Sequence, residues 1–459
     1  MARDLERVWS GVGSQDLAVD LDGTLLATDS LVEGAVFALF TRPLVLAGAI
    51  LRLFDGRHAL KASLATFSAA RIGTAPLRTD LLAWLQGQAA AGRRLHLVSA
   101  ADRTVAEAAA ARVGLFSGVI ASGGGVNLKG TAKRDALLAR FPDGWSYAGD
   151  SRADLPVFAE ARSVVLAGSG SRLAGRLAAP DRLEAVFPHH RSAGAWFRLI
   201  RLHQWAKNLL IFVPALLSGS LDDPATVLPC LLAFLLLSVC ASGTYVLNDL
   251  ADLDADRQHP TKRARPLASG EIPLTAALAV ALAAVAIPIG LAWLLQPGFA
   301  LLLVGYVGAT FAYSWWFKRT AMLDVGILAC LYTLRLQIGA ELAGVPLSAW
   351  LAGFSLAFFL SLSLAKRHTE IAKAAARGLA DLPGRGYRTA DGPLTLAFGV
   401  ASGMSALLLM ILFLFFVASH QANYHHPDYL LAAPLLTFVW LSRVWLLASR
   451  GELNDDPLV

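Results

Sequence analysis

Residues 248–266 read NDLADLDADRQHPTKRARP, a run of carboxylates followed by four basic side chains, set between two long apolar runs. Ionisable residues beside membrane spans are costly unless they face a cavity, so they mark function by default. If the segment is helical, Asn248, Asp252 and Asp256 recur every four residues and share one face, and Asp249 can join them. Such hard oxygen donors suit Mg2+, which binds through carboxylates together with substrate phosphates. Lys262, Arg263 and Arg265 follow closely enough to hold those phosphates. The alternative is a solvated acidic-basic loop, but ordinary loops rarely separate the two charge signs so cleanly.

The 459 residues on either side of this segment are 56% hydrophobic, with a mean hydropathy of +0.54, in the range of membrane proteins. Residues 1–168 mix charged and apolar runs as a soluble domain does, residues 169–197 read as a linker, and residues 198–459 form a membrane domain. A hydrocarbon core of ~30 Å needs ~20 apolar residues. Eight runs qualify, near 199–219, 226–248, 274–295, 298–317, 321–343, 348–365, 394–418 and 428–448. With the N-terminal domain in the cytoplasm, the inner loops 249–273, 316–320 and 366–392 hold twelve Lys or Arg residues and the outer loops none. This bias predicts an inner-membrane protein whose Asp-rich segment and soluble domain both face the cytoplasm. No basic stripe interleaved with aromatics points to nucleic acid. Cys230, Cys240 and Cys330 lie in apolar runs and read as small core residues rather than a disulfide or zinc framework. The first 15 residues are charged and lack an apolar centre, so no signal peptide is expected.

In the soluble domain, DLAVDLDGT (16–24) is a short apolar strand leading into Asp20, Asp22 and Thr24; LHLVS (95–99) is a second, ending at Ser99. Lys133 opens a predicted helix, and WSYAGDSRADLP (145–156) carries Asp150 and Asp154. Strands alternating with helices imply a parallel sheet whose ligands bind at the carboxyl ends of the strands. These four stations, in this order, resemble the haloacid dehalogenase superfamily of phosphohydrolases over roughly residues 14–168. The resemblance implies an α/β domain in which Asp20 is a nucleophile forming an aspartyl-phosphate and Asp22 a general acid/base. It further implies that Thr24, Ser99 and Lys133 bind the phosphoryl group, and that Asp150 and Asp154 complete a Mg2+ site with Asp20 and Asp22. Residues 31–54 are apolar enough to suggest a span. A crossing there would put Asp20 and Ser99 on opposite sides of the membrane, so the segment reads as part of a helical cap near 31–90, or as a stretch lying on the membrane surface.

The membrane domain resembles the UbiA superfamily of intramembrane transferases, an all-α polytopic bundle, over roughly 196–450. Asn248, Asp252 and Asp256 match its NxxxDxxxD motif, and YSWWFKRT matches its Tyr-then-Lys-Arg-Thr element at Tyr313, Lys318 and Arg319. HQWAKNLLIFVP, with Lys207 and Asn208, and HPTKRARPLASG look most like the decaprenyl-phosphate phosphoribosyltransferases within it. That implies contacts from Lys207, Lys262, Arg263 and Arg265 to a phosphoribosyl donor. Many prenyltransferases of the superfamily carry a second aspartate motif after the sixth span. Here AKRHTE places Lys366, Arg367 and His368 there, cations suited to holding an anionic donor or lipid phosphate directly. Eight runs stand against the usual nine spans, through a shorter end or two spans read as one.

The combined expectation is bifunctional: Mg2+-dependent transfer of 5-phosphoribosyl from phosphoribosyl pyrophosphate to a polyprenyl phosphate, then removal of the 5-phosphate. The alternative is a prenyltransferase moving an isoprenoid from a prenyl diphosphate to an aromatic or other acceptor. A membrane scaffold with decayed sites is a third reading, which the complete Asp, Lys and Tyr positions oppose. Outside these sites, His189–His190 read as linker and His425–His426 as a solvated outer loop. Trp315–Trp316 read as an interfacial belt and Arg335 with Glu341 as a structural pair.

Overall fold

The computed structural model describes residues 15–453 except 124–125, 169–172, 176, 178–179, 189–191, 383, 417–429 and 431. His189, His190, His425 and His426 lie outside the described residues, as does part of the expected linker. The chain divides into two compact units, Met1–Leu199 with Val246–Ala279, and Ile200–Tyr245 with Val280–Val459. The Asp-rich segment, placed by sequence in the membrane domain, groups with the N-terminal unit.

Six parallel strands build the N-terminal sheet: β1 (Asp16–Val19), β2 (Arg94–Asp102), β3 (Phe116–Ser122), β4 (Ser146–Gly149), β5 (Ser163–Gly168) and β6 (Leu183–Pro188), in the spatial order β3-β2-β1-β4-β5-β6. Successive strand side chains alternate between faces. Leu17 and Val19 therefore enter one core with Leu97 and Val165, while Ala18 enters another with Val98, Tyr147 and Leu166. Burial on both faces is why these strands read as near-continuous apolar runs. β6 lies within residues expected as linker; its alternating LEAVFP pattern suits an edge position beside β5.

Between β1 and β2 the chain inserts α1 (Ser30–Thr41), α2 (Pro43–Leu51), α3 (Arg57–Ile72) and α4 (Thr79–Ala90); α5 (Arg103–Val113), α6 (Thr131–Arg140) and α7 (Leu155–Glu160) connect the later strands. Arg42 and Pro43 break the apolar run 31–54 into two helices, as Pro at a helix start and its restriction of the preceding residue require. After β3, α6 returns the chain to β4 on the other side of β1. The order thus reverses between β1 and β4, the switch point at which doubly wound sheets bind ligands.

The remaining helices are α8 (Ala193–Ile200), α9 (Val213–Leu217), α10 (Pro224–Ala251), α11 (Leu253–Gln258), α12 (Leu274–Leu295), α13 (Pro297–Trp315), α14 (Leu323–Leu342), α15 (Ala349–Ala376), α16 (Gly392–Phe416) and α17 (Ala432–Ser449). Seven helical segments among the described residues, those containing α10 and α12 to α17, are long and apolar enough to cross a membrane. The expected span at 199–219 is not a long helix. Arg201 takes φ 53°, tight three-residue turns follow over Leu202–Phe212, and the five-residue α9 ends the run. Cys230 and Cys240 are buried as expected, whereas Cys330 is exposed.

Candidate functional site

Asp20 follows β1, Ser99 lies in β2 and Asp150 follows β4, so the sheet delivers all three to its carboxyl edge. There a cavity of about 710 Å³ is lined by Asp20, Asp22, Ser99, Lys133, Asp150 and Asp154, together with Lys61, Arg78 and Asn127. Gly23 has φ +74°, and a Cβ there would collide with the Asp150 carboxylate; only glycine lets the β1 turn pass so close. Thr24, expected among the phosphate binders, sits behind the wall. It is fully buried, and its hydroxyl has no hydrogen-bond partner among the described residues.

Lys133 Nζ donates to Asp20 Oδ1 at 2.9 Å, to Asp154 Oδ1 at 3.2 Å and to the Tyr147 hydroxyl at 2.8 Å. Burial alone would lower the lysine pKa, but the two carboxylates outweigh it and hold the ammonium above its usual range. Burial raises Asp20 to about 6 against the pull of Lys133. Burial also raises Asp22, to about 7, and the charge of Asp29 adds to this. A carboxyl near neutrality can give and take a proton, which is what a general acid/base needs. Asp22 accepts a hydrogen bond from the Ser30 amide at 2.7 Å, so helix α1 of the cap holds its orientation.

One oxygen from each of Asp20, Asp150 and Asp154 lies within 4.8 Å of the others. These hard donors fit Mg2+. Asp154 accepts from Lys133 and Tyr147 through one oxygen, and from the Ser151 amide and hydroxyl (3.2 and 2.8 Å) through the other. Asp22 does not join this cluster. Tyr147, Lys61, Arg78 and Asn127 escaped the sequence reading. Tyr147 sits inside the quoted WSYAGD run, where its hydroxyl could have been noticed. Lys61 donates from cap helix α3 to the Ala100 carbonyl (2.5 Å) and to Asn127 (3.1 Å), a contact with no local signal.

In the Asp-rich segment, i to i+4 backbone hydrogen bonds run from Asp252 to Asn248 and from Asp256 to Asp252, each 2.9 Å, across a kink at Asp252. The expected convergence of carboxylates is only partial. Arg265 bridges Asp249 (3.1 Å) and Asp256 (2.5 Å), and Lys262 stands 4.0 Å from Asp256. Burial raises the Asp256 pKa while Arg265 opposes the rise. Asn248 and Asp252 are half-buried, and Lys262 and Arg263 are exposed. Asp254 leaves this group to pair with Arg71 and to accept from Thr74 at 2.6 Å. Arg257 forms a two-pronged pair with Glu33 of α1, at 2.6 and 2.9 Å.

In the helical unit, several expected substrate contacts prove to be internal supports. Arg367 is 1% exposed and pairs with Asp324 (2.7 Å) and Glu370, so it is not a free phosphate ligand. Tyr387 donates to the other oxygen of Asp324 at 2.6 Å. Asn208 is buried between Ser238 (2.9 Å) and Arg335 (2.9 Å). Arg335 also donates to the Leu331 carbonyl rather than pairing with Glu341, which accepts instead from Gln296. Tyr313 accepts from Arg385 at 2.7 Å, and Lys207 sits 5.9 Å from the Tyr332 ring centroid. Lys318 and Arg319 lie in the short turn between α13 and α14, and Lys366 lies in α15; Arg319 is exposed.

Residues 209–458 match the UbiA prenyltransferase family. A protein described as uncharacterized protein y4nM, from Sinorhizobium fredii, is 42% identical over 96% of this chain and 86% of its own length. Nodulation protein NoeC of Azorhizobium caulinodans is 35% identical over 56% of this chain and 83% of its own length. A decaprenyl-phosphate phosphoribosyltransferase of Corynebacterium glutamicum is 32% identical over 40% of this chain and 57% of its own length. With seven membrane-length helical segments and a family match spanning more than half of its residues, the chain is a polytopic membrane transferase belonging to the UbiA prenyltransferase family.

Proposed function

We propose that the membrane domain transfers a 5-phosphoribosyl group from phosphoribosyl pyrophosphate to a polyprenyl phosphate, and that the N-terminal unit removes the 5-phosphate from the product. The observation that carries the second step is the convergence of Asp20, Asp22, Ser99, Lys133, Asp150 and Asp154 on one cavity. Likeness to the Corynebacterium enzyme supports the first. Tethering two catalysts raises the effective concentration of the second for the product of the first, to roughly millimolar for a short flexible link. The charge bias of the loops supports a cytoplasmic position for both.

In the N-terminal cavity, Asp20 attacks phosphorus and expels the ribose 5-oxygen, which takes its proton from Asp22. Asp22 then deprotonates a water that opens the aspartyl-phosphate and releases inorganic phosphate. Lys133 offsets the repulsion between the carboxylate and the phosphate. Asp20, Asp150 and Asp154 would hold Mg2+, which neutralises phosphoryl charge when bound. In the membrane domain, Asn248, Asp249, Asp252 and Asp256 would hold the Mg2+ that steadies a leaving pyrophosphate, beside Lys262, Arg263 and Arg265. Exclusion of water protects the electron-poor ribosyl carbon from hydrolysis.

The second reading, transfer from a prenyl diphosphate, draws support from the family description and from the pairing of Arg367, which removes one cation counted toward a phosphoribosyl donor. Purified chain with radiolabelled phosphoribosyl pyrophosphate and a polyprenyl phosphate separates the two. The proposal expects labelled lipid-ribose from the parent and its phosphorylated form from Asp20→Asn. Turnover of a prenyl diphosphate with no labelled lipid would establish the second reading.

A further inference from the structure

Helix α2 and the turn after it, PLVLAGAILRLFD (43–55), form an arm of the cap with apolar residues facing outward: Leu44 is 86% exposed, Leu51 66% and Phe54 92%. Soluble surfaces rarely leave so continuous an apolar patch uncovered. The helix has no polar face, and at ~1.5 Å per residue its nine residues reach less than half of a ~30 Å hydrocarbon core. It is thus suited to lie in the membrane interface rather than to cross it, and Arg42 and Arg52, both exposed, flank it as headgroup ligands would.

The N-terminal cavity names the occupant. Its apolar lining includes Leu53 of the arm, Leu31 and Leu60 of the neighbouring cap helices, and Leu274. Leu274 is the first residue of α12, one of the membrane-length helices. A cavity lined in part by the first residue of a span, with apolar side chains as well as the polar end at Asp20 and Lys133, suits a substrate that carries both a lipid tail and a phosphate. We infer that residues 43–54 seat in the bilayer interface, and that the cavity draws its substrate, a phosphomonoester carried on a lipid, directly from that surface. The substrate half of this inference rests on the phosphohydrolase reading; the seating of the arm does not.

The test uses the full chain reconstituted in phosphatidylethanolamine and phosphatidylglycerol vesicles, with exposed Cys330 replaced by Ser and spin labels at Phe54→Cys or, as a control on exposed α7, Glu160→Cys. The label at 54 should collide with oxygen several-fold more, and with a water-soluble nickel complex several-fold less, than the label at 160. Equal nickel access at both sites, or shielding of 54 from both reagents as a protein partner would cause, overturns the seating. In Leu44→Asp/Phe54→Asp, hydrolysis of phosphatidic acid in the vesicles should fall several-fold while hydrolysis of p-nitrophenyl phosphate stays at the parent rate; a parallel fall or no change overturns delivery from the surface. A parent that hydrolyses neither ester refutes the phosphohydrolase reading and its substrate, and the label at 54 still decides the arm.

Discussion

Breaking the pair between Glu33 and Arg257 should loosen cap helix α1 and the Asp-rich segment together. Both side chains are nearly sealed, at 1% and 4% exposure, and both guanidinium prongs are used. Removing one partner of a buried pair leaves an uncompensated charge and costs about 3–5 kcal/mol. Arg71, whose pKa burial lowers to about 10 while the nearby charge of Glu33 opposes the fall, offers partial relief, so Arg257→Ala belongs at the lower end. At ~1.4 kcal/mol per tenfold, a loss of about 3 kcal/mol multiplies local opening more than a hundredfold. Hydrogen exchange on the purified full chain reads this directly: amides of α1 and α11 should lose protection together, while β1 and β2 change little. Glu33→Leu/Arg257→Leu should be milder than either single change, because no buried charge is left over. Single changes costing under about 1 kcal/mol, or a double variant equal to the sum of the singles, would refute the claim that this pair holds the two segments to one another.

Asp20→Asn should abolish hydrolysis of phosphate esters while preserving β1 exchange protection, since amide for carboxylate keeps the shape; restored turnover would remove Asp20 from the reaction. Lys133→Met should cost activity and also about 3 kcal/mol or more in stability, because it leaves Asp20 and Asp154 facing one another unpaired, as urea unfolding followed by exchange in β1 would report. Asp252→Ala should stop lipid transfer yet leave hydrolysis of p-nitrophenyl phosphate intact; joint loss would show that the two activities are not separate. Asp22 carries a folded pKa raised to about 7, so its contribution is complete below the ordinary carboxyl range and fades as pH climbs through 7. Protection of β1 should therefore decline between about pH 4 and 7, and Asp22→Asn should flatten that decline.

The polar stations of the N-terminal unit were legible because a parallel sheet buries its strands on both faces. A short apolar run ending in Asp, Ser or Gly-Asp then marks a carboxyl edge without further information. Helices long enough to span were legible from length alone. Strand β6 was not, since an edge strand with one wet face loses the continuous apolar signature and passes for linker. The run at 199–219 had the composition of a span, but Asn208 and Arg335 meet inside the bundle, and the chain there folds around that polar contact instead of crossing as one helix. Arg367 shows the same limit from the other side. A cation is visible in sequence, as is Glu370 three residues on, but its buried counter-ion Asp324 lies 43 positions away, and only the fold tells a ligand for substrate from a support for the bundle.

The Asp-rich segment joins these two lessons, because its charges separate by face. At about 100° per residue, Asp249 and Asp256 differ by roughly 20° and point the same way, whereas Asp254 and Arg257 lie on the order of 100–160° around from Asp256. The first pair shares Arg265; the second reaches Arg71, Thr74 and Glu33 in the cap. A motif recognised by its four-residue spacing thus carries a second pair, Asp254 and Arg257, that anchors it to the cap helices. The two patterns make separable demands: Asp254→Asn should release the anchor and spare any cation site, while Asp256→Asn should do the reverse. Exchange protection of α3 against Mg2+-dependent transfer distinguishes them, and loss of both properties in both variants would mean that the segment acts as one undivided unit.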